Sequence, residues 1–200
     1  MVQTVSKSLQ SAIVAEKFFS VEAYYSFEEK SIHKNEYHNG KIIRMAGAKL
    51  KHNKLALQVG RLILDFVLKN KLNYQVSGSD TKIRIESLNK IVYPDAVVIC
   101  SPTEFYKGRE DTITNPIIVV EVLSLSTQNH DQTTKFEMYR TIESFKGYVL
   151  INQDVERVSV WTKQPDNKWI LEDYNGVTAT AIIAALNFCP ISLEELYTVV

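Results

Sequence analysis

The longest periodic signal in the chain runs over residues 51–68, where Leu55, Val59, Leu62, Ile63 and Phe66 recur at three- and four-residue steps. That spacing lines one face of an α-helix and predicts the longest helix of the protein there. β-rich segments follow at 74–76, 81–85, 91–100 and 117–123. The last two are nearly continuous apolar runs, the pattern of strands covered on both faces. Upstream, Ser20 can cap a short helix through Tyr25, and the stretch from Glu36 to Met45 carries the Asn39-Gly40 pair that favours a tight hairpin turn. A second helix is expected over 131–142, a buried strand over 148–151, and an antiparallel hairpin from 155–161 and 169–174. Ser192-Leu193-Glu194-Glu195 has capping-box spacing and starts a short final helix. Helices and strands in this order indicate an α/β domain: a mixed central β-sheet flanked by helices, with an additional antiparallel hairpin. No repeat, low-complexity tract or linker divides the chain, so 19–200 read as a single domain after an N-terminal extension over 1–18.

Composition narrows the function classes. The 200 residues are 45% hydrophobic and 23% charged, which is ordinary for a globular chain and excludes disorder and collagen-like repeats. Lys plus Arg number 23 against 23 Asp plus Glu, and this zero net charge weakens any case for wholesale coating of a polyanion. Cys100 and Cys189 are too few for a disulfide scaffold or a thiolate metal site, which points to a reducing, cytoplasmic setting. The apolar stretch 12–19 is interrupted by Glu16 and Lys17, unlike a secretory signal. No window approaches the roughly 18 consecutive apolar residues of a spanning helix, so no membrane association is expected.

Three charged residues intrude on these apolar patterns. Alternation puts Asp95 on the face of Val97 and Ile99, and Glu121 on the face of Ile117, Val119 and Leu123. A buried, unpaired carboxylate costs several kcal/mol or more, so each must be neutralised, paired, bound to a cation, or placed where its strand reaches water. Asp95 satisfies the last condition if it begins its strand at the surface; Glu121, with four apolar residues before it and two after, does so less easily. On the helix expected over 131–142, about 100° per residue places Lys135 inside the stripe of Met138, Tyr139 and Ile142, with Glu137 and Thr141 opposite. A lysine there either snorkels to Asp131 one turn earlier or meets the strand carboxylates. Paired carboxylates suit a hard cation such as Mg²⁺, and a neighbouring lysine can orient water or stabilise charge on a phosphoryl oxygen.

Tyr93-Pro94-Asp95 followed by Glu121-Val122-Leu123 resembles the PD-(D/E)XK nuclease superfamily, with Leu123 standing where that pattern has its lysine. Within it, the chain is similar to the Uma-two family of bacterial restriction endonuclease-like proteins. The supporting set is Glu36-x-x-x-Gly40-x-Ile42, Met45-Ala46-Gly47, His52-Asn53, Ser79-Asp80, Ser124-Leu125-Ser126-Thr127 and Asp131-x-x-x-Lys135-Phe136-x-x-Tyr139. Leu125 departs from the proline usual at that place. The resemblance implies a restriction endonuclease-like core in which Asp95, Glu121 and the Val122 carbonyl hold Mg²⁺, or Mn²⁺ in its place. Lys135 then occupies a catalytic position that has migrated to the following helix. Glu36 supports metal or water, and Asp80 and His52 match further family positions. His52 lies on the buried face of the long helix, where a core or capping role is equally open. His33, His38 and His130 match no motif and are expected at the surface. The expected function is metal-dependent hydrolysis of DNA by an endonuclease, acting as a homodimer if both strands are cut. The rival expectations are a catalytically degenerate nuclease fold serving as a binding module, and a purely structural ion-pair network.

Overall fold

A computed structural model describes residues 18–124 and 130–200, the side chains of 130–132 excepted. In chain order the elements are α1 (Val21–Glu28), β1 (Asn35–His38), β2 (Lys41–Arg44), α2 (Leu50–Lys69), β3 (Tyr74–Gly78), β4 (Lys82–Ile85), β5 (Lys90–Val92), β6 (Ala96–Cys100), β7 (Thr112–Ile113) and β8 (Pro116–Leu123). A wide π-helical turn (His130–Lys135) runs into α3 (Phe136–Tyr139), followed by β9 (Gly147–Asn152), β10 (Arg157–Lys163), β11 (Trp169–Asn175), β12 (Thr180–Ile183), β13 (Cys189–Ser192) and α4 (Leu193–Tyr197).

A six-stranded sheet in the order β11-β10-β9-β8-β6-β3 forms the centre. It is mixed: β8 and β9 run parallel, the remaining pairs antiparallel. The expected 155–174 hairpin is thus the outer edge of this sheet. On one face, α2 packs Leu55, Val59, Ile63 and Val67 against Ala96, Val98, Ile118, Val120 and Val122. On the other, Val97, Val119, Leu123, Tyr148 and Leu150 meet Phe136, Met138, Tyr139 and Phe145. All eight residues of β8 are buried. Fully burying a Val, Ile or Leu stabilises by about 1.5–3 kcal/mol, so the six such residues of β8 hold Glu121 inside despite the several kcal/mol that an unpartnered carboxylate costs.

Local signals place most of these elements. The Ser20 and Ser192 hydroxyls accept from the Ala23 and Glu195 N–H groups at the starts of α1 and α4. Asn39 and Gly40 both have positive φ, 47° and 92°, as the tight β1–β2 turn requires.

Three expectations change. The apolar run over 91–100 is two strands in two sheets: β5 joins β1 and β4, whereas β6 joins β3 and β8. Pro94 has no N–H to give a ladder, and the chain crosses between sheets at Tyr93-Pro94-Asp95. The second sheet, β2-β1-β5-β4-β7, stands beside the central one, and β12-β13 form a third, so the strands do not share one sheet. The expected 131–142 helix keeps only one regular α-turn. It tightens where Thr141 N–H turns back to Met138 O and Ile142 N–H to Tyr139 O. The expected extension over 1–18 lies outside the described residues except for Phe18, as do Leu125, Ser126 and Thr127. Among the described residues, no helix is long and apolar enough to cross a membrane.

Candidate active site

Asp95 stands one residue ahead of β6, where the chain enters the central sheet. Its N–H donates to the Val120 carbonyl at 3.2 Å, continuing a register in which Ala96 faces Val120. One step further along that register, Asp95 comes opposite Glu121. The two carboxylates therefore issue from neighbouring positions at one end of a strand pair. Strict alternation does not govern Asp95, which lies in a bend and is partly exposed. Its Oδ2 accepts from Val122 N–H at 2.7 Å, and its Oδ1 pairs with His52 Nε2 at 2.9 Å from the first turn of α2. An ionised carboxylate can only accept, so in this contact the His52 ring nitrogen is the donor when Asp95 is a carboxylate.

Glu121 is buried at 3% exposure. Its Oε1 accepts from Lys135 Nζ at 3.0 Å and from the Tyr139 hydroxyl at 3.1 Å. Lys135 and Tyr139 are four residues apart and therefore share a helical face. The inward lysine read from the helical periodicity thus meets the inward glutamate read from the strand. The Asp131 side chain, its other candidate partner, lies outside what is described.

Glu36 enters from β1 in the neighbouring sheet and is buried as well. Its Oε2 lies 2.8 Å from His38 Nε2, and its Oε1 accepts from Tyr93 N–H at 3.4 Å. Burial opposes its ionisation, but the His38 hydrogen bond, the positive charge of Lys135 and the Tyr93 N–H outweigh burial and hold the carboxyl below its ordinary range. Glu36 thus answers electrostatically to the same lysine as Glu121. Both sheets, their crossover, α2 and the helical segment each contribute a residue.

Two assignments shift. Asp80 is exposed and paired with Lys34 at 2.6 Å. It lines a separate pocket with Tyr25, Lys82, Arg109 and Asp111, none of them in the Asp95 cluster. His38 is not a surface residue but half-buried against Glu36; the signal available was the two-residue spacing, which puts both on one face of a strand. His33 is exposed, as expected, beside Arg44. The Tyr139 hydroxyl is a site group that periodicity assigned only to the core.

The donor set fits a hard divalent cation. Asp95 and Glu121 offer carboxylate oxygens, each with two lone pairs, and the Val122 carbonyl adds a third oxygen donor. Among the described residues, no three His, Cys, Asp or Glu side chains group as a metal site. Asp95 and Glu121 thus supply only two side-chain carboxylates there, and any further ligand would be the Val122 carbonyl or water. Asp95, Glu121 and Glu36 set against Lys135 leave these four side chains a formal charge of −2, with histidines neutral.

Residues 21–192 match the model of the Uma2 family, described as "Putative restriction endonuclease". The uncharacterized protein sll1609 of Synechocystis sp. (strain PCC 6803) is 33% identical over 167 residues, covering 84% of this chain and 93% of that protein. Another from the same organism, slr1290, is 30% identical over 159 residues, covering 78% and 80%. The fold is similar to that of a crystal structure titled as a putative nuclease belonging to DUF820 from Anabaena variabilis. The TM-score is 0.67 at 17% identity, over 90% of this chain and 98% of that one.

Proposed function

The chain belongs to the Uma2 family of restriction endonuclease-like proteins, and on that premise we propose that it hydrolyses phosphodiester bonds of DNA with a divalent metal, Mg²⁺ or Mn²⁺. One observation carries the proposal: the buried Glu121–Lys135 pair, 3.0 Å apart, stands where Asp95 meets β8. Asp95, Glu121 and the Val122 carbonyl would hold the metal. A divalent cation bound there lowers the pKa of a coordinated water and neutralises charge on the scissile phosphate.

The remaining work falls to the chain's own groups. The Lys135 ammonium is preorganised by Glu121 and donates to the attacking water or to a nonbridging phosphate oxygen as negative charge builds in the transition state. Tyr139 holds the Glu121 carboxylate, and His52 with the Val122 N–H holds that of Asp95, so neither must reorient during reaction. Glu36 adds a negative charge beside Lys135 and so helps fix the ammonium at the site. Cutting both strands of a duplex would take two copies related by a two-fold axis.

The test is cleavage of single-stranded, duplex and branched DNA and RNA by purified protein, with Mg²⁺, Mn²⁺ or EDTA. Metal-dependent DNA cleavage lost in Asp95→Ala and Lys135→Ala is expected. Absence of cleavage on every substrate, or cleavage that survives both substitutions, would sink the proposal.

A further inference from the structure

A second cavity, of about 530 Å³, opens beside the segment that carries Lys135, between α3 and the β10–β11 hairpin. Its walls include Phe136, Trp161 and Trp169, with Arg140, Lys168 and Glu137 around them. Trp161 stacks on Phe136 with centroids 4.7 Å apart and planes at 26°, and Trp169 meets Phe136 edge-on at 5.1 Å. Phe136 is buried, yet both indoles are only half-buried. They pack on Phe136 and still offer surface to the cavity.

The cavity lies on the same side of the central sheet as Glu121. Glu121 pairs with Leu150, and Leu150 with Ser159; Trp161 is two residues beyond Ser159 on the same face of β10. Two strand spacings and two residues of rise put the Glu121 and Trp161 backbones about 12 Å apart. Phe136 adjoins Lys135 in sequence, so the pocket and the candidate active site share one helical segment.

Aromatic walls with cations at the rim match the chemistry of a nucleotide, a flat π-surface joined to a phosphate. Arg140 pairs with Glu137 at 2.8 Å and Lys168 with Asp166 at 2.7 Å. All four side chains are well exposed, and such pairs are weak enough to exchange a carboxylate for a phosphate. A base inside a duplex cannot present its face to an indole; an unpaired or extruded one can.

We propose that this pocket binds one unstacked nucleobase of the substrate, with its phosphate at Arg140 and Lys168, so that the preferred substrate is single-stranded or locally unpaired near the cut. This rests on the nuclease proposal for the site but is separable from it.

Trp161 and Trp169 are the only tryptophans in the chain, so intrinsic tryptophan fluorescence reports on this pocket alone. Full-length Asp95→Ala protein in EDTA is titrated with a short oligothymidylate and, separately, with a blunt duplex. Saturable quenching by the single strand and little by the duplex is expected. Trp169→Ala should weaken single-strand binding, followed by anisotropy, roughly 5- to 150-fold. Trp169→Phe, which keeps a ring, should restore most of it and covers the case in which the alanine variant does not fold. The double variant Arg140→Gln/Lys168→Gln should weaken binding and flatten its salt dependence. Equal quenching by duplex, binding without quenching, no binding to the single strand, or undiminished binding by the Trp169→Ala and double variants overturns the pocket. Cleavage by wild-type protein without quenching removes the pocket alone, whereas quenching without cleavage removes the hydrolytic proposal alone.

Discussion

Two clusters of charge lie on either side of Tyr93, and they differ in a way that separates framework from chemistry. On the ring side, Lys34 and Lys82 approach the Tyr93 face at 5.4 and 5.3 Å. Lys34 pairs there with Asp80, Lys82 with Asp111, and Arg109 with Asp111 and Glu29. Glu28 is satisfied by the Tyr93 hydroxyl and by Asn35. Three cations thus face four carboxylates, and Asp80, Asp111 and Glu29 remain 92%, 42% and 60% exposed in their side chains. On the backbone side, the Tyr93 N–H turns toward Glu36, and Lys135 acts on Glu36 and pairs with Glu121, with Asp95 opposite Glu121 in the strand register. The Glu36, Asp95 and Glu121 side chains are only 11%, 18% and 4% exposed. Coulomb energy grows as water is excluded. An excess of carboxylate charge is therefore cheaper on the ring side, where three of the four carboxylates reach water, than on the backbone side, where all three are largely buried.

Substitutions test that contrast, beginning with the greatest effect. Lys135→Ala should cut the cleavage rate by roughly 100- to 1000-fold, whereas Lys82→Ala on the ring side of Tyr93 should leave kcat within a few-fold; initial rates on one substrate compare them directly. In the absence of metal, Lys135→Ala should also lower unfolding stability by about 3–5 kcal/mol, because Glu121 is left buried without its ammonium. Urea denaturation in EDTA measures this, and an unchanged midpoint would contradict the buried pairing. His52→Ala should weaken divalent-metal binding about 10- to 100-fold by calorimetry, since it frees the Asp95 carboxylate that His52 orients.

Acid sharpens the comparison further. Burial opposes ionisation of Asp111, but hydrogen bonds from Lys82, Arg109 and Thr112 bring its pKa down to about 2 from 3.8. A depressed carboxyl stabilises the fold above its unfolded pKa, and that contribution is lost between pH 3.8 and about 2. After discounting for solvent screening, Asp111→Asn should cost on the order of 1 kcal/mol at neutral pH, a Tm drop of about 2–4 °C. Glu36 obeys the same sign: its contribution is full above pH 4.5 and is lost as pH falls through its lower folded value. Glu36→Gln should flatten the stability–pH curve below 4.5 and leave its slope above that pH unchanged. At the smallest end, Asp80→Asn should change stability by no more than about 0.5 kcal/mol and leave cleavage intact, which would separate Asp80 from the site.

Glu121 and Lys135 stand out in the chain because each breaks the apolar pattern of its own element, and such a break needs no knowledge of neighbours; Asp95 stands out only while 91–100 is read as one strand, and it lies in the bend between two. Glu36 violates nothing in its short strand; motif resemblance singled it out, and its burial emerges only when β1 lies beside β5. His38 was passed over because a lone histidine two residues from a glutamate is ordinary on an exposed strand. Asp80 matches a further family position by motif alone, and the turn after β3 leaves its side chain exposed. The 91–100 run looked continuous because Val92 and Ala96 are equally apolar, and hydrophobicity does not reveal which sheet a residue faces.

Periodicity, caps and the Asn39-Gly40 turn depend on a few consecutive residues, and so the long helix, the buried β8 strand, the hairpins and the inward aim of Lys135 and Glu121 were determined locally. Meeting is a different matter. The crossover at Pro94, the β6–β8 register that sets Asp95 opposite Glu121, and the reach of Glu36 from a second sheet toward Lys135 are long-range pairings. Their energy comes from burying surfaces far apart in the chain, and no short window of sequence contains it.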